Sequence, residues 1–227
     1  MIPLKDSTKA RNFPIVNITL IIINIAVFAY QLMLNQQELI AFVHRFGVIP
    51  QVYTTYGPVA LLVYQPMALF PLFTSMFVHG SFVHIIGNML YLWVFGDNIE
   101  DKLGKFKFIM FYFAAGLIGN FAHIAANPTS AVPTIGASGA VAGVLGAYFL
   151  AFPRAKVLAL VPIGFFLTIT TVPAILFLVL WFFLQLISGL TSIGAGQMVA
   201  WWAHIGGFVA GASLWLLLKP ENLKVTS

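Results

Sequence analysis

Long apolar segments follow one another along this chain from residue 14 to residue 218, and no polar stretch between them is large enough for a soluble domain. A helix that crosses the hydrocarbon core of a membrane needs about 20 mostly apolar residues. Charged residues make up only 7% of the chain, whereas soluble domains contain about 25%. A soluble fold with so few charges would expose large apolar patches and aggregate. The segments therefore predict an all-α, multi-pass integral membrane protein that forms a single domain over residues 1–227.

Six of the apolar segments are suited to spanning helices, and one is not. Residues 59–73 are too short to span and are interrupted by Gln65, Pro66 and Pro71. We interpret residues 36–79 as a long loop that lies in the membrane interface, with an ordinary extramembrane loop as the alternative. The predicted helices cover residues 14–34, 81–98, 106–125, 138–152, 170–190 and 201–218.

The basic residues support six helices. The net charge of +5 is explained better by membrane topology than by nucleic-acid binding, because the charges lie in short loops. With six spans, ten of the eleven basic residues fall on one side and only Arg45 on the other. The positive-inside rule then makes both termini cytoplasmic. The ten are Lys5, Lys9, Arg11, Lys102, Lys105, Lys107, Arg154, Lys156, Lys219 and Lys224.

Four polar side chains share one predicted depth near the outer face. Polar groups in the hydrocarbon are costly, so each marks a candidate site. With the N-terminus inside, the second, fourth and sixth helices all begin at the outer face. His84 and Asn88 lie early in the second helix, Ser138 opens the fourth, and His204 lies in the first turn of the sixth. Gln185, in the fifth helix, is a further polar residue without an assigned role.

Two pairs of glycines with GxxxG spacing follow the candidate serine and histidine. Small residues at this spacing let helix backbones approach closely. If the two glycine faces meet, the serine and the histidine come together at the outer end of the contact. A pure packing role is the alternative, because the motif is common in apolar helices. The pairs are Gly139 with Gly143 in the fourth helix and Gly207 with Gly211 in the sixth.

The residue types point to nucleophilic catalysis. A serine hydroxyl becomes a good nucleophile when a base accepts its proton, and histidine is the usual base. No Asp or Glu lies near His204 in the predicted helices, so the pattern predicts a dyad of Ser138 and His204. The developing oxyanion would be stabilised by the backbone N–H of Ser138 at a helix N-terminus and by the side chains of His84 and Asn88.

Three motifs make the chain resemble the rhomboid intramembrane serine proteases over nearly its whole length. They are HGSFVHIIGNMLYLWVFGDNIE (His79–Glu100), GASGAVAGVLGAY (Gly136–Tyr148) and AHIGGFVAG (Ala203–Gly211). The resemblance implies a six-helix rhomboid-like bundle with Ser138 as the nucleophile and His204 as the base. It also implies oxyanion positions at His84, Asn88 and Gly136.

The same resemblance implies an intramembrane endopeptidase whose substrates are transmembrane proteins cut near a helix end. Its lateral gate would be the fifth helix, with Trp181 and Phe182. We expect no cofactor, no metal and no nucleic-acid partner, and a location in a bacterial or archaeal cell membrane. Apart from substrates, the expected partner is the lipid bilayer, and the oligomeric state stays open.

The sequence departs from the family pattern in two places. Some members carry a Trp-Arg pair in the first outer loop, but residues 70–74 contain no arginine. Some members place an aromatic residue four positions after the serine to stack on the histidine, and this chain has Ala142 there. These departures affect how the loop is anchored and how His204 is oriented.

Three other functions are weighed against the protease. A proteolytically inactive rhomboid-like protein would bind membrane clients without cutting them. A transporter or channel would use the polar residues as a path, but they cluster on one side of the membrane. A metal-dependent enzyme would use His79, His84 and His204, but it lacks an HExxH motif and a nearby carboxylate ligand.

Overall fold

The computed structural model describes residues 1–57, 61–63, 65–163, 166–191 and 199–220, so Lys224 of the charge pattern lies outside the described residues. The strands are β1 (Ile2–Asp6), β2 (Lys156–Ile163) and β3 (Phe166–Pro173). The longer helices are α1 (Ile15–Gln31), α2 (Gln36–Phe46), α3 (Pro50–Tyr56), α4 (Phe82–Leu103), α5 (Lys105–Ala126), α6 (Ser138–Ala151), α7 (Ala174–Thr191) and α8 (Trp201–Leu218). Short helical turns precede α4 at Pro66–Leu69, Pro71–Thr74 and Ser75–Phe77.

The described helices make this a mostly helical, multi-pass membrane protein. Among them, α5, α7 and α8 are long and apolar enough to cross a membrane. Helix α4 and the turns of Pro66–Phe77 meet at an 80° bend, which is the geometry of a broken span or of a re-entrant loop. The apolar helices α1 and α6 are shorter, with 17 and 14 residues. Length and composition therefore support three to four spans among the described residues.

Helix α6 lies at the centre of the bundle, because every residue from Gly139 to Tyr148 is buried. Its glycine face meets that of α8. A Cβ atom built on Gly207 would overlap the backbone of Gly139, and one built on Gly211 would overlap the backbone of Gly143. The two contacts are four residues apart, so the helix backbones touch over about one turn, as small residues permit.

One part of the all-α prediction is wrong, because Lys156–Ile163 and Phe166–Pro173 are β-strands. Strands β2 and β3 pair antiparallel, with Lys156 opposite Pro173, and β1 pairs antiparallel with the other edge of β2. The fifth helix, predicted from residue 170, therefore begins only at Ala174. The strand residues Thr170, Thr171 and Val172 at the start of the predicted helix are β-branched and fit a pleated strand better than a helix.

The predicted loop of residues 36–79 contains helices rather than only irregular chain. Asn35 caps α2, since its side chain accepts a hydrogen bond from the N–H of Glu38 and its own N–H donates to the Glu38 carboxylate. Further along, Val48 and Thr134 exchange backbone hydrogen bonds of 2.9 and 2.7 Å. The segment is thereby attached to the loop that leads into α6. Its depth in the membrane interface stays a prediction.

The other predicted helix ends shift by a few residues. Helix α4 continues to Leu103, beyond the predicted end at residue 98, and stops at Gly104, which has a φ of +77°. A glycine adopts this left-handed conformation without the strain of a Cβ atom, so it ends the helix and starts α5 at once. Helix α1 ends at Gln31 rather than at residue 34.

Candidate active site

Ser138 is the first residue of α6 and lies two positions after Gly136. The φ of Gly136 is +122°, a conformation that side chains rarely adopt. Its N–H donates a hydrogen bond of 2.8 Å to the carbonyl oxygen of Ser75, which ties the loop to the turn before α4. Ser138 is half-buried, and the positive end of the α6 dipole lies at its backbone N–H.

The glycine contact between α6 and α8 places His204 on the same side of the bundle as Ser138. A Cβ atom built on Gly139 would lie 3.4 Å from the carbonyl oxygen of Ala203, so the residues next to the serine and the histidine are neighbours. Among the described residues, however, Oγ of Ser138 forms no hydrogen bond, so the expected hydrogen bond to the His204 imidazole is not formed. Catalytic hydrogen bonds are often long without substrate and tighten in the complex.

Two residues of α7 and one of α8 surround the imidazole of His204. Nδ1 of His204 lies 2.7 Å from Oε1 of Gln185. The indole ring of Trp181 stacks on the imidazole with centroids 6.2 Å apart and an interplanar angle of 29°. Trp201 meets it edge-on at 5.8 Å. The sequence alone indicates Gln185 only as a polar residue in an apolar helix, since no local pattern connects it to the histidine.

His84 and Asn88 of α4 face the loop just before the serine. A Cβ atom built on Gly136 would lie 2.5 Å from Nε2 of His84 and 3.6 Å from Nδ2 of Asn88. Only a glycine leaves room for the His84 ring beside the backbone, whereas the contact with Asn88 would be an ordinary one. The structure thus brings both predicted oxyanion residues to the chain that enters Ser138.

A further histidine, at position 79, supports this part of the site. Its Nε2 lies 3.0 Å from Nδ2 of Asn88, and its ring is edge-on to that of His84 with centroids 5.0 Å apart. The backbone of His79 is held by Gln31 of α1, whose side-chain amide exchanges two hydrogen bonds of 3.0 Å with the His79 N–H and carbonyl. The roles of His79 and Gln31 depend on contacts between distant segments, which no local pattern indicates.

The arrangement suits acyl transfer. A hydroxyl stands at a helix N-terminus, a histidine comes from the neighbouring helix, and polar side chains that can donate hydrogen bonds lie beside the approach to the hydroxyl. Within the described parts of the chain, no three His, Cys, Asp or Glu side chains are grouped so that they could hold a metal ion.

The comparisons with known proteins all indicate the same family. The family model for the Rhomboid domain matches residues 66–221. The mitochondrial presenilin-associated rhomboid-like protein of mouse is 28% identical over 181 residues, which cover 75% of this chain and 42% of the mouse protein. The mitochondrial Rhomboid protein 1 of Saccharomyces cerevisiae is 37% identical over 91 residues, covering 38% of this chain and 26% of its own.

A bacterial relative from Bacillus subtilis bears the name Putative rhomboid protease YdcA. It is 35% identical over 77 residues, which cover 34% of this chain and 38% of YdcA. The matched region spans less than half the length of each of these three relatives.

Proposed function

Because the chain belongs to the rhomboid family, we propose that it is an intramembrane serine endopeptidase that cuts transmembrane proteins with Ser138 as nucleophile and His204 as base. The observation that carries the proposal is the convergence of three helices on one place. Helix α6 brings the serine, α8 brings the histidine through the glycine contact, and α4 brings His84 and Asn88 against Gly136.

The proposed reaction follows from these positions. Oγ of Ser138 attacks the scissile carbonyl carbon while Nε2 of His204 accepts the hydroxyl proton. The oxyanion is stabilised by the Ser138 N–H, the Asn88 amide and the His84 ring. The imidazolium then gives its proton to the departing amine and leaves an acyl-enzyme. A water molecule, deprotonated by His204, attacks the ester and releases the second product and the free serine.

The proposed topology has six spans, with both termini cytoplasmic, and includes α1 and α6. The 14 residues of α6 extend about 21 Å at 1.5 Å per residue, less than the hydrocarbon thickness of about 30 Å. With Arg154 at the inner interface, Ser138 would lie several ångströms below the outer surface, in a cavity that water can reach. The chain has no cysteine, so single Lys9→Cys and Arg45→Cys variants should react with an impermeant thiol reagent from opposite sides.

The proposed location is the cell membrane of a bacterium or an archaeon. The names of the mouse and yeast relatives call those two proteins mitochondrial. Expression of a fluorescent fusion of this chain in its source cells would decide the location. Signal from an internal organelle membrane would contradict the proposal.

The alternative function is a proteolytically inactive protein that binds membrane clients. The two functions share a fold and differ only in whether a bound substrate is cut.

Cleavage of a single-span model substrate in proteoliposomes tests the protease proposal directly. Products should be found by mass spectrometry near one end of the substrate helix, and a fluorophosphonate probe should label Ser138. Ser138→Ala and His204→Ala should both abolish cleavage without unfolding the protein. Ser213→Ala is the matched control, because Ser213 is an exposed serine of α8 whose hydroxyl donates to the Val209 carbonyl of its own helix. Unchanged cleavage by either dyad variant would overturn the proposal, and binding without any cleavage would support the inactive alternative.

A further inference from the structure

A buried amide on a lipid-facing helix reaches the candidate base. Gln185 is only 9% exposed, although its neighbour Leu184 is 54% exposed and most of α7 is apolar. An amide in such a helix is unfavourable unless it finds a hydrogen-bond partner. Its partner is Nδ1 of His204, 2.7 Å from Oε1.

The chemistry of this contact determines which imidazole nitrogen carries the proton. An amide oxygen can only accept a hydrogen bond, so Nδ1 must donate and carry the proton. In the neutral ring the lone pair is then on Nε2, the nitrogen that must accept the serine proton. The amide serves equally after protonation, because Nδ1 remains a donor in the imidazolium.

Helix α7 also supplies the aromatic face of the histidine. Trp181 lies one turn before Gln185 and stacks on the imidazole of His204. The same indole contacts the ring of Tyr91 on α4, with centroids 6.3 Å apart. An aromatic residue of α7 therefore occupies one face of the histidine, while α6 has only a methyl group at Ala142.

We propose that Gln185 is a positioning residue that holds His204 in the Nδ1-protonated form. His204 can then act as the base only while α7 packs against α8. The inference rests on the proposed protease function. Both the hydrogen bond and the stacked ring come from α7, so separation of α7 from α8 would remove both and release the imidazole. Proteolysis would then require α7 to pack against α8 at the moment of attack.

The first test is the kinetics of three variants at position 185. Gln185→Leu has nearly the same size and no acceptor, and kcat should fall at least about tenfold; a wrong histidine tautomer in a Ser-His-Asp triad lowers kcat by about 10⁴. Gln185→Glu keeps an acceptor oxygen and should recover most of this loss. KM should change little, because the amide does not touch the substrate. Leu184→Ala, on the exposed face of α7, is the control and should retain wild-type kcat.

The second test does not depend on activity. Nitrogen-15 spectra of histidine-labelled protein in lipid nanodiscs should give a protonated Nδ1 for His204, assigned by loss of the signal in His204→Ala. Gln185→Leu should move the proton toward Nε2 or give a mixture of tautomers. Wild-type kcat together with an unchanged tautomer in Gln185→Leu would overturn the inference, even if Ser138 proves to be the nucleophile. Equal loss of folding in the Leu and Glu variants, with an unchanged tautomer in the folded fraction, would also count against it.

Discussion

Nδ2 of Asn88 lies 3.0 Å from Nε2 of His79. An amide nitrogen can only donate, so Nε2 of His79 accepts a hydrogen bond from one of its two N–H groups, and the other N–H has no partner among the described residues. This second N–H belongs to the side chain that lies beside Gly136, two residues before the candidate nucleophile. His79 is itself held through its backbone by Gln31 of α1, so a contact between distant segments fixes the direction of a candidate oxyanion donor.

Removal of the Asn88 amide should slow the chemical step more than it weakens binding. A single oxyanion donor is worth about 10² to 10³ in kcat, so Asn88→Ala should lower kcat by that factor with little change in KM. His79→Ala should have a smaller effect, because His79 acts through Asn88. His79→Gln, which can still accept a hydrogen bond, should be closer to wild type. Peptide-release kinetics would check this order, and a loss confined to KM would contradict it.

A methyl group on Gly136 should disable the site without disrupting the bundle. Gly136→Ala would force a Cβ atom against His84 and impose a φ of +122° on alanine. Cleavage and fluorophosphonate labelling should both fall strongly. Gly87→Ala is the matched control, since a Cβ atom there meets nothing within 4 Å. Equal activity of the two variants would contradict this account of the loop.

The glycine contact between α6 and α8 should respond asymmetrically to the same substitution. A Cβ atom on Gly207 would overlap the Gly139 backbone, whereas one on Gly139 would make only ordinary contacts, the nearest at 3.4 Å. Overpacking of a well-packed core costs about 1–3 kcal/mol. Gly207→Ala should therefore unfold at a lower temperature in detergent, while Gly139→Ala stays near wild type. Similar melting temperatures for the two would show that the helices can separate without penalty.

Asp6 should make the stability of the protein depend on pH. Its carboxylate accepts hydrogen bonds from Tyr148 at the end of α6 and from Asn98 of α4. Burial raises the pKa of Asp6 above its ordinary value of 3.8, although hydrogen bonds from Tyr148 and Thr8 oppose the shift. The folded state therefore prefers protonated Asp6. This stabilisation is complete below about pH 3.8 and is lost as the pH rises through the raised pKa.

Asp6→Asn should flatten this dependence, because the amide cannot ionise. Thermal unfolding in detergent at several pH values between 4 and 7 would measure it, and the wild type should lose more stability than the variant as the pH rises. Parallel curves for the two proteins would rule out Asp6 as the source.

The sequence by itself determined the features that depend on local composition. Hydrophobic segments, their breaks and their glycine spacing placed helices close to their observed positions, because membrane partitioning and helix formation are decided over about 20 consecutive residues. The motifs indicated Ser138, His204, His84 and Asn88 as candidate site residues, and the GxxxG spacing predicted which faces of α6 and α8 touch.

Only the tertiary structure decided the features that depend on distant partners. Residues 166–173 are strand rather than helix because β2 pairs with them on one edge and with the N-terminal β1 on the other. Gln185 reaches His204, and Gln31 holds His79, across 19 and 48 positions of the chain. The motifs do not show that Ser138 and His204 are near each other. The backbone contact between Gly139 and Gly207 brings their helices together. Hydrogen bonds and close packing depend on distances in space, which a local pattern of residues does not contain.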